Sequence, residues 1–120
     1  MTMTPASQPQ PAPIQQKGGR PVLPYAINDA ELHGADPLSA AVRTDLIERA
    51  GAGIKKYGTP LMTRNGRDAL WDFYQETLDA IMYARQEDME TPDFDSWALY
   101  EDAVRLAKRV RARIDARGKP

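Results

Sequence analysis

From Asp36 to Arg117, apolar side chains recur every three or four residues, and no stretch of useful length alternates apolar with polar. A period near 3.6 puts one face of a helix in a core, whereas a half-buried strand needs a period of 2. This pattern confines the chain to an all-α architecture.

Three helices follow from the spacing. Asp36 before Pro37 is a helix start: a carboxylate that can cap, then a residue preset for the first turn. Leu38, Val42, Leu46, Ala50, Ile54 and Tyr57 form the first apolar stripe, and Gly58 and Pro60 end it. Gly51 and Gly53 either admit a close backbone or mark a loosening of this helix. A second helix spans about Arg67–Glu87, with Leu70, Phe73, Tyr74, Thr77, Leu78, Ile81 and Ala84 inward and Trp71 and Met82 at the margin. Thr91-Pro92-Asp93 is a break. A third helix runs from about Asp95 to Arg117 on a stripe of Tyr100, Ala103, Ala107, Val110 and Ile114. Its second half carries Arg105, Lys108, Arg109, Arg111, Arg113 and Arg117, which complement the negative end of its dipole. Three helices with one stripe each make a bundle, completed by a second subunit.

Six of the ten prolines (Pro5, Pro9, Pro11, Pro13, Pro21 and Pro24) lie in the first 24 residues, which hold no Asp or Glu. Residues 1–24 read as a flexible Pro-rich arm and residues 25–120 as the all-α domain. The segment Val22–Leu32 is expected to pack on that domain as a strap.

Composition removes several classes of function. With no Cys there is no disulfide framework, thiol nucleophile or zinc-thiolate site. A single His, His33, excludes a multi-histidine metal site in one subunit. No apolar run reaches the length of a membrane span, and no apolar leader opens the chain, so a cytoplasmic protein without membrane attachment is expected. A net charge of −1 disfavours a dedicated nucleic-acid binder.

Asp68, Asp72, Glu76 and Asp79 share one side of the second helix, with Gln75 and Tyr83 beside them and no Lys or Arg among them. Like charges at i,i+4 cost about 0.2–0.5 kcal/mol per pair. A divalent cation relieves that repulsion, and Mg2+ prefers carboxylate oxygens, water and substrate phosphates. The plainer reading is a solvated acidic face paired with the basic third helix. Asp45 and Glu48 on the first helix offer a second i,i+3 carboxylate pair, which facing Glu76 and Asp79 would complete a metal cage; they read equally as surface charges beside Arg43 and Arg49.

Positive charge gathers immediately before the acidic helix, at Lys55, Lys56, Arg64 and Arg67. Cations beside a Mg2+ site suit a triphosphate, and a helix N-terminus adds N–H donors. Lys56, Tyr57, Arg64, Asn65 and Arg67 are the candidate substrate contacts, although Asn65-Gly66 also reads as a simple turn.

The run Lys56-Tyr57-Gly58-Thr59-Pro60-Leu61, then Asn65-Gly66-Arg67-Asp68-Ala69-Leu70, then Tyr74-Gln75-Glu76-Thr77-Leu78-Asp79 and Tyr83-Ala84-Arg85-Gln86, resembles short phage-type MazG-like proteins. These are dATP/dGTP diphosphohydrolases among the all-α nucleoside triphosphate pyrophosphohydrolases. The resemblance covers about residues 36–90. The wider superfamily carries E-x-x-E and E-x-x-D pairs. Glu76-x-x-Asp79 matches the second, and Asp45-x-x-Glu48 stands for the first with Asp in place of its leading Glu. The resemblance implies Mg2+ dependence, with Mn2+ as a substitute, and helical subunits assembled as homodimers or homotetramers. It also implies release of pyrophosphate from a nucleoside triphosphate, a purine dNTP by preference. In that chemistry Asp45, Glu48, Glu76 and Asp79 hold metal, and Glu76, Asp79 and Asp72 form the catalytic set, with Asp72 a further ligand or the base for water. The alternative from another class is a non-catalytic helical module that binds a protein or nucleic acid through its basic third helix.

Overall fold

The computed structural model describes residues 10–117 and contains four helices: α1 (Leu23–Asn28), α2 (Pro37–Tyr57), α3 (Ala69–Glu90) and α4 (Phe94–Arg117). Among the described residues there is no strand, only an isolated antiparallel bridge between Pro21 and Met62. The fold is all-α. No helix of the described residues is long and apolar enough to cross a membrane. The part of the N-terminal arm at residues 1–9 lies outside the described residues. The chain divides into two units, one of Pro11–Arg67 and the other of Gln10 with Asp68–Arg117.

In the first unit, the ends of α2 follow local chemistry. The Asp36 carboxylate accepts from Ser39 N at 3.0 Å, and Pro37 opens the first turn. That N–H holds the Asp36 carboxyl below its usual range. At the other end Gly58 adopts a left-handed φ of 76° and donates its N–H to Ile54 O at 2.7 Å. Among the described residues nothing lies within 4 Å of a Cβ placed on Gly51 or Gly53, and α2 runs unbroken through both. Within its unit α2 packs against α1 alone. No residue of α2 is buried, and Leu38, Val42, Ile54 and Tyr57 of its stripe are exposed.

The segment Val22–Leu32 coils into α1, with Pro24 in the first turn, where its missing N–H costs nothing. Asn28 Nδ2 donates to Pro24 O at 2.8 Å across the helix. Arg43 of α2 ties down the following loop by donating from Nη1 to the carbonyls of Leu32 and Gly34.

Residues 11–22 run antiparallel to 59–67. Ile14 N donates to Asn65 O (2.8 Å), Thr63 N to Arg20 O (2.8 Å) and Val22 N to Leu61 O (3.0 Å). Arg20 N donates to Thr63 Oγ1 at 2.9 Å. A turn at Gly18-Gly19 separates the two paired stretches, with Gly18 at φ 85° and Gly19 N bonded to Gln16 O. A Cβ on Gly19 would sit 2.8 Å from Thr63 O, so the close pairing requires glycine there.

The second unit is the α3–α4 hairpin. Ala107, Val110 and Ile114 of α4 are its buried apolar residues, and Tyr100 and Ala103 of the same stripe are half-buried. Facing them on α3 are buried Thr77 and half-buried Leu70, Tyr74, Leu78, Ile81 and Ala84. Phe73, expected inward, is 46% exposed because it lies at the edge of the stripe. Trp71 is half-buried, and its indole N–H is enclosed without an acceptor among the described residues.

The spacing placed the second helix at about Arg67–Glu87, whereas α3 spans Ala69–Glu90. Its start is displaced because Asp68 is the cap, with extended ψ and a carboxylate that accepts from Leu70 N (3.1 Å) and Trp71 N (3.3 Å). Its end is later because no breaker precedes Thr91-Pro92.

A polar network closes the hairpin. Asp93 Oδ1 accepts from Ser96 N (2.6 Å), and Ser96 Oγ accepts from Asp93 N (3.0 Å), a reciprocal cap on α4. Ser96 Oγ donates to buried Asp88 at 2.8 Å, and Arg85 Nη1 donates to the other Asp88 oxygen at 2.9 Å. The Arg85 guanidinium lies 5.5 Å from the Trp97 ring and 5.7 Å from the Tyr100 ring.

Candidate functional site

The four acidic residues of the α3 stripe differ in what they touch. Asp68 caps the helix and also accepts from Arg117 Nη1 (3.1 Å) and Nη2 (2.7 Å). The Arg117 guanidinium, with the capping amides, holds the Asp68 carboxyl below its usual range despite partial burial. Its role is structural. Asp72, one turn on, is half-buried and engaged by its surroundings, as is Gln75. Glu76 and Asp79 are exposed and have no hydrogen-bond or ion-pair partner among the described residues. They lie on one side of the helix at i,i+3, with exposed Tyr83 one turn further.

This contrast is informative because the chain does not lack cations. Arg105 pairs with Glu101 and Asp102, Arg111 with Asp115, and Arg117 with Asp68. Glu76 and Asp79 are left with both carboxylates open to solvent.

The first unit carries the other candidates. Asp45 and Glu48 are exposed on α2 and likewise have no partner among the described residues. Lys56 lies at the C-terminal end of α2 with Nζ 5.2 Å from the Tyr57 ring centroid, and Tyr57 is half exposed. In the loop that follows, Arg64 adopts a left-handed φ of 55°, unusual for a residue with a side chain. Gly66 does the same at φ 81°. The Asn65 side-chain oxygen accepts from Arg67 N at 3.1 Å, so this side chain shapes the turn. Arg67 Nη1 donates to Pro11 O at 2.7 Å, and Arg64 Nη1 lies against Gly18.

The structure thus gathers Arg64, Asn65 and Arg67 on one loop and places Glu76 and Asp79 on one helix side. Within either unit, no three Asp, Glu or His side chains of the described residues cluster as a ready metal cage. Each helix instead offers one carboxylate pair.

Two features escaped the sequence reading. One is the pairing of residues 11–22 with the basic loop, for which Gly18-Gly19 is the only local signal. The other is a cavity of about 600 Å3 in the first unit, lined by Ile27, His33, Arg43, Thr44 and Ile47 among others. His33, solitary in the sequence, is part of that wall. Compared with known proteins, the chain matches no family model, no curated protein and no solved structure.

Proposed function

We propose that the protein is a Mg2+-dependent nucleoside triphosphate pyrophosphohydrolase that converts a dNTP and water to a dNMP and pyrophosphate. The observation that carries this reading is the pair of exposed, unpartnered carboxylates of Glu76 and Asp79 on a helix whose first carboxylate, Asp68, is neutralised by Arg117. Mg2+ binds through one or two protein carboxylates and completes its shell with water and substrate phosphates, so such a pair fits it. Asp45 and Glu48 supply a second pair of the same chemistry, and Mn2+ would satisfy the same ligands. When bound, the ion neutralises phosphate oxygens and makes a water more acidic.

The remaining chemistry belongs to the chain. Water attacks the α-phosphorus, the bond from that phosphorus to the bridging oxygen breaks, and pyrophosphate leaves. Asp72 takes the proton from the attacking water. Arg64, Arg67 and Lys56 hold the phosphates that depart, while Asn65 keeps the Arg67 backbone in the turn. Tyr57 offers an exposed ring for stacking. The likeness of residues 36–90 to MazG-like sequences supports this assignment, a purine dNTP as substrate and assembly into homodimers or homotetramers. The rival reading of α4 as a nucleic-acid surface loses Arg105, Arg111 and Arg117 to ion pairs and rests on Lys108, Arg109 and Arg113.

The test is incubation of the folded protein with each dNTP and Mg2+, with pyrophosphate as the readout. Release from at least one nucleotide, dependent on the ion, is expected. No release from any nucleotide overturns the reading.

A further inference from the structure

About a quarter turn round α4 from its buried stripe runs a second stripe with the same alternation of four and three residues: Asp95, Leu99, Asp102, Leu106, Arg109 and Arg113. All six residues are exposed, Leu99 at 54% and Leu106 at 41%. The spacing is that of a helix seam, yet about half of each leucine's surface stays open.

The order of charges along this stripe is informative. It begins acidic, is apolar in the middle and ends basic. Asp102 carries its own counter-ion, Arg105 Nη1 at 3.0 Å, so the centre is locally neutral. Asp95, Arg109 and Arg113 have no partner among the described residues. Turned end over end about a point near Val104, the stripe becomes its own complement. Asp95 then faces Arg113, Leu99 faces the stem and charge of Arg109, and Asp102 faces Leu106, each pair occurring twice. A two-fold axis imposes this reciprocity on any isologous interface.

We propose that α4 pairs antiparallel with α4 of a second copy of this chain through the stripe Asp95–Arg113. The apolar gain comes from Leu99 and Leu106, with the long Arg109 stem laid over them. Register and direction come from the terminal Asp95–Arg113 pairs. A parallel arrangement would put acid against acid at one end and base against base at the other. This inference concerns the hairpin alone and stands whether or not the protein hydrolyses nucleotides.

Sedimentation equilibrium of the full chain at low salt tests it. The wild type self-associates, and added salt weakens the association because its orienting pairs are screened. Asp95→Arg and Arg113→Asp each set like charges together twice in a homotypic pair, so each variant alone associates at least about tenfold more weakly. An equimolar mixture of the two restores complementarity at both ends and recovers association to near the wild-type level. Leu106→Glu weakens association and is not rescued by either partner. Helical content by circular dichroism is unchanged in Leu106→Glu, whose site is exposed, so the test survives even if a charge reversal perturbs the fold. A monomeric wild type, single variants that associate as the wild type does, or a mixture that fails to recover would each overturn the proposal.

Discussion

Arg117, in the last turn of α4, closes on Asp68, the N-cap of α3, with both Nη atoms, at 3.1 and 2.7 Å. One carboxylate therefore caps a helix and anchors the far end of its neighbour. The two contacts share the same charged form of Asp68, and both are lost when it is protonated.

The Asp68 carboxyl titrates below its ordinary value because Arg117 and the capping amides favour the anion. A group whose folded pKa is depressed adds stability above its unfolded pKa and loses it as pH falls through the folded value. Thermal unfolding should therefore show an acid-induced loss that begins near pH 4 and deepens below it. In Asp68→Asn that component of the pH dependence disappears. Asp68→Ala also removes the cap and costs about 1 kcal/mol at neutral pH, measured by denaturant unfolding.

Glu76 separates stability from activity. Its charge lies one turn from Asp72, and repulsion at that spacing costs about 0.2–0.5 kcal/mol. Glu76→Gln is expected to leave the unfolding midpoint unchanged or slightly raised while abolishing pyrophosphate release. Asp72→Asn, which removes the proposed base, should reduce turnover about 10²- to 10⁴-fold. Steady-state assays beside thermal melts check both.

Ser96 donates to buried Asp88 while joining the reciprocal cap with Asp93. Ser96→Ala leaves Asp88 with Arg85 as its remaining side-chain donor. The expected cost is about 1–3 kcal/mol in the stability of the hairpin, read from denaturant unfolding.

Gly19 sits where the backbone of residues 11–22 crosses close to Thr63. Gly19→Ala forces a methyl against that carbonyl, with a penalty of about 1–3 kcal/mol expected for such overpacking. The N–H groups of Val22 and Thr63, which bridge the two segments, should then exchange with solvent tenfold faster or more, as hydrogen exchange measures.

Local chemistry explains which parts of this architecture were legible in the sequence. Asp36-Pro37 and Gly58 marked both ends of α2, because caps are made by residues within one turn of the helix end. The α4 stripe was legible through its period, and its lower half is the buried core. Asp68 looked like one more charge on an acidic face, since capping and stripe membership use the same residue type at the same register. The short α1 was hidden because it begins inside the Pro-rich stretch, although Pro24 suits its first turn. The site was less legible than the fold. The contact of Arg67 with the Pro11 carbonyl joins residues 56 positions apart through a backbone atom that every residue possesses. No spacing or composition announces such a bond. Nor does the charge pattern distinguish Asp68, which is paired, from Glu76, which is not.

The long-range bonds of the N-terminal segment also set an order of events during synthesis. Gln10 joins its amide to the backbone of Asp68 across a separation of 58 positions, and Arg20 meets Thr63 across 43. A nascent chain halted before residue 60 has no partner to offer either of them. The segment of residues 10–22 leaves the ribosome ahead of α1 and α2, yet it must wait until residues 61–68 have been made before it can be fastened.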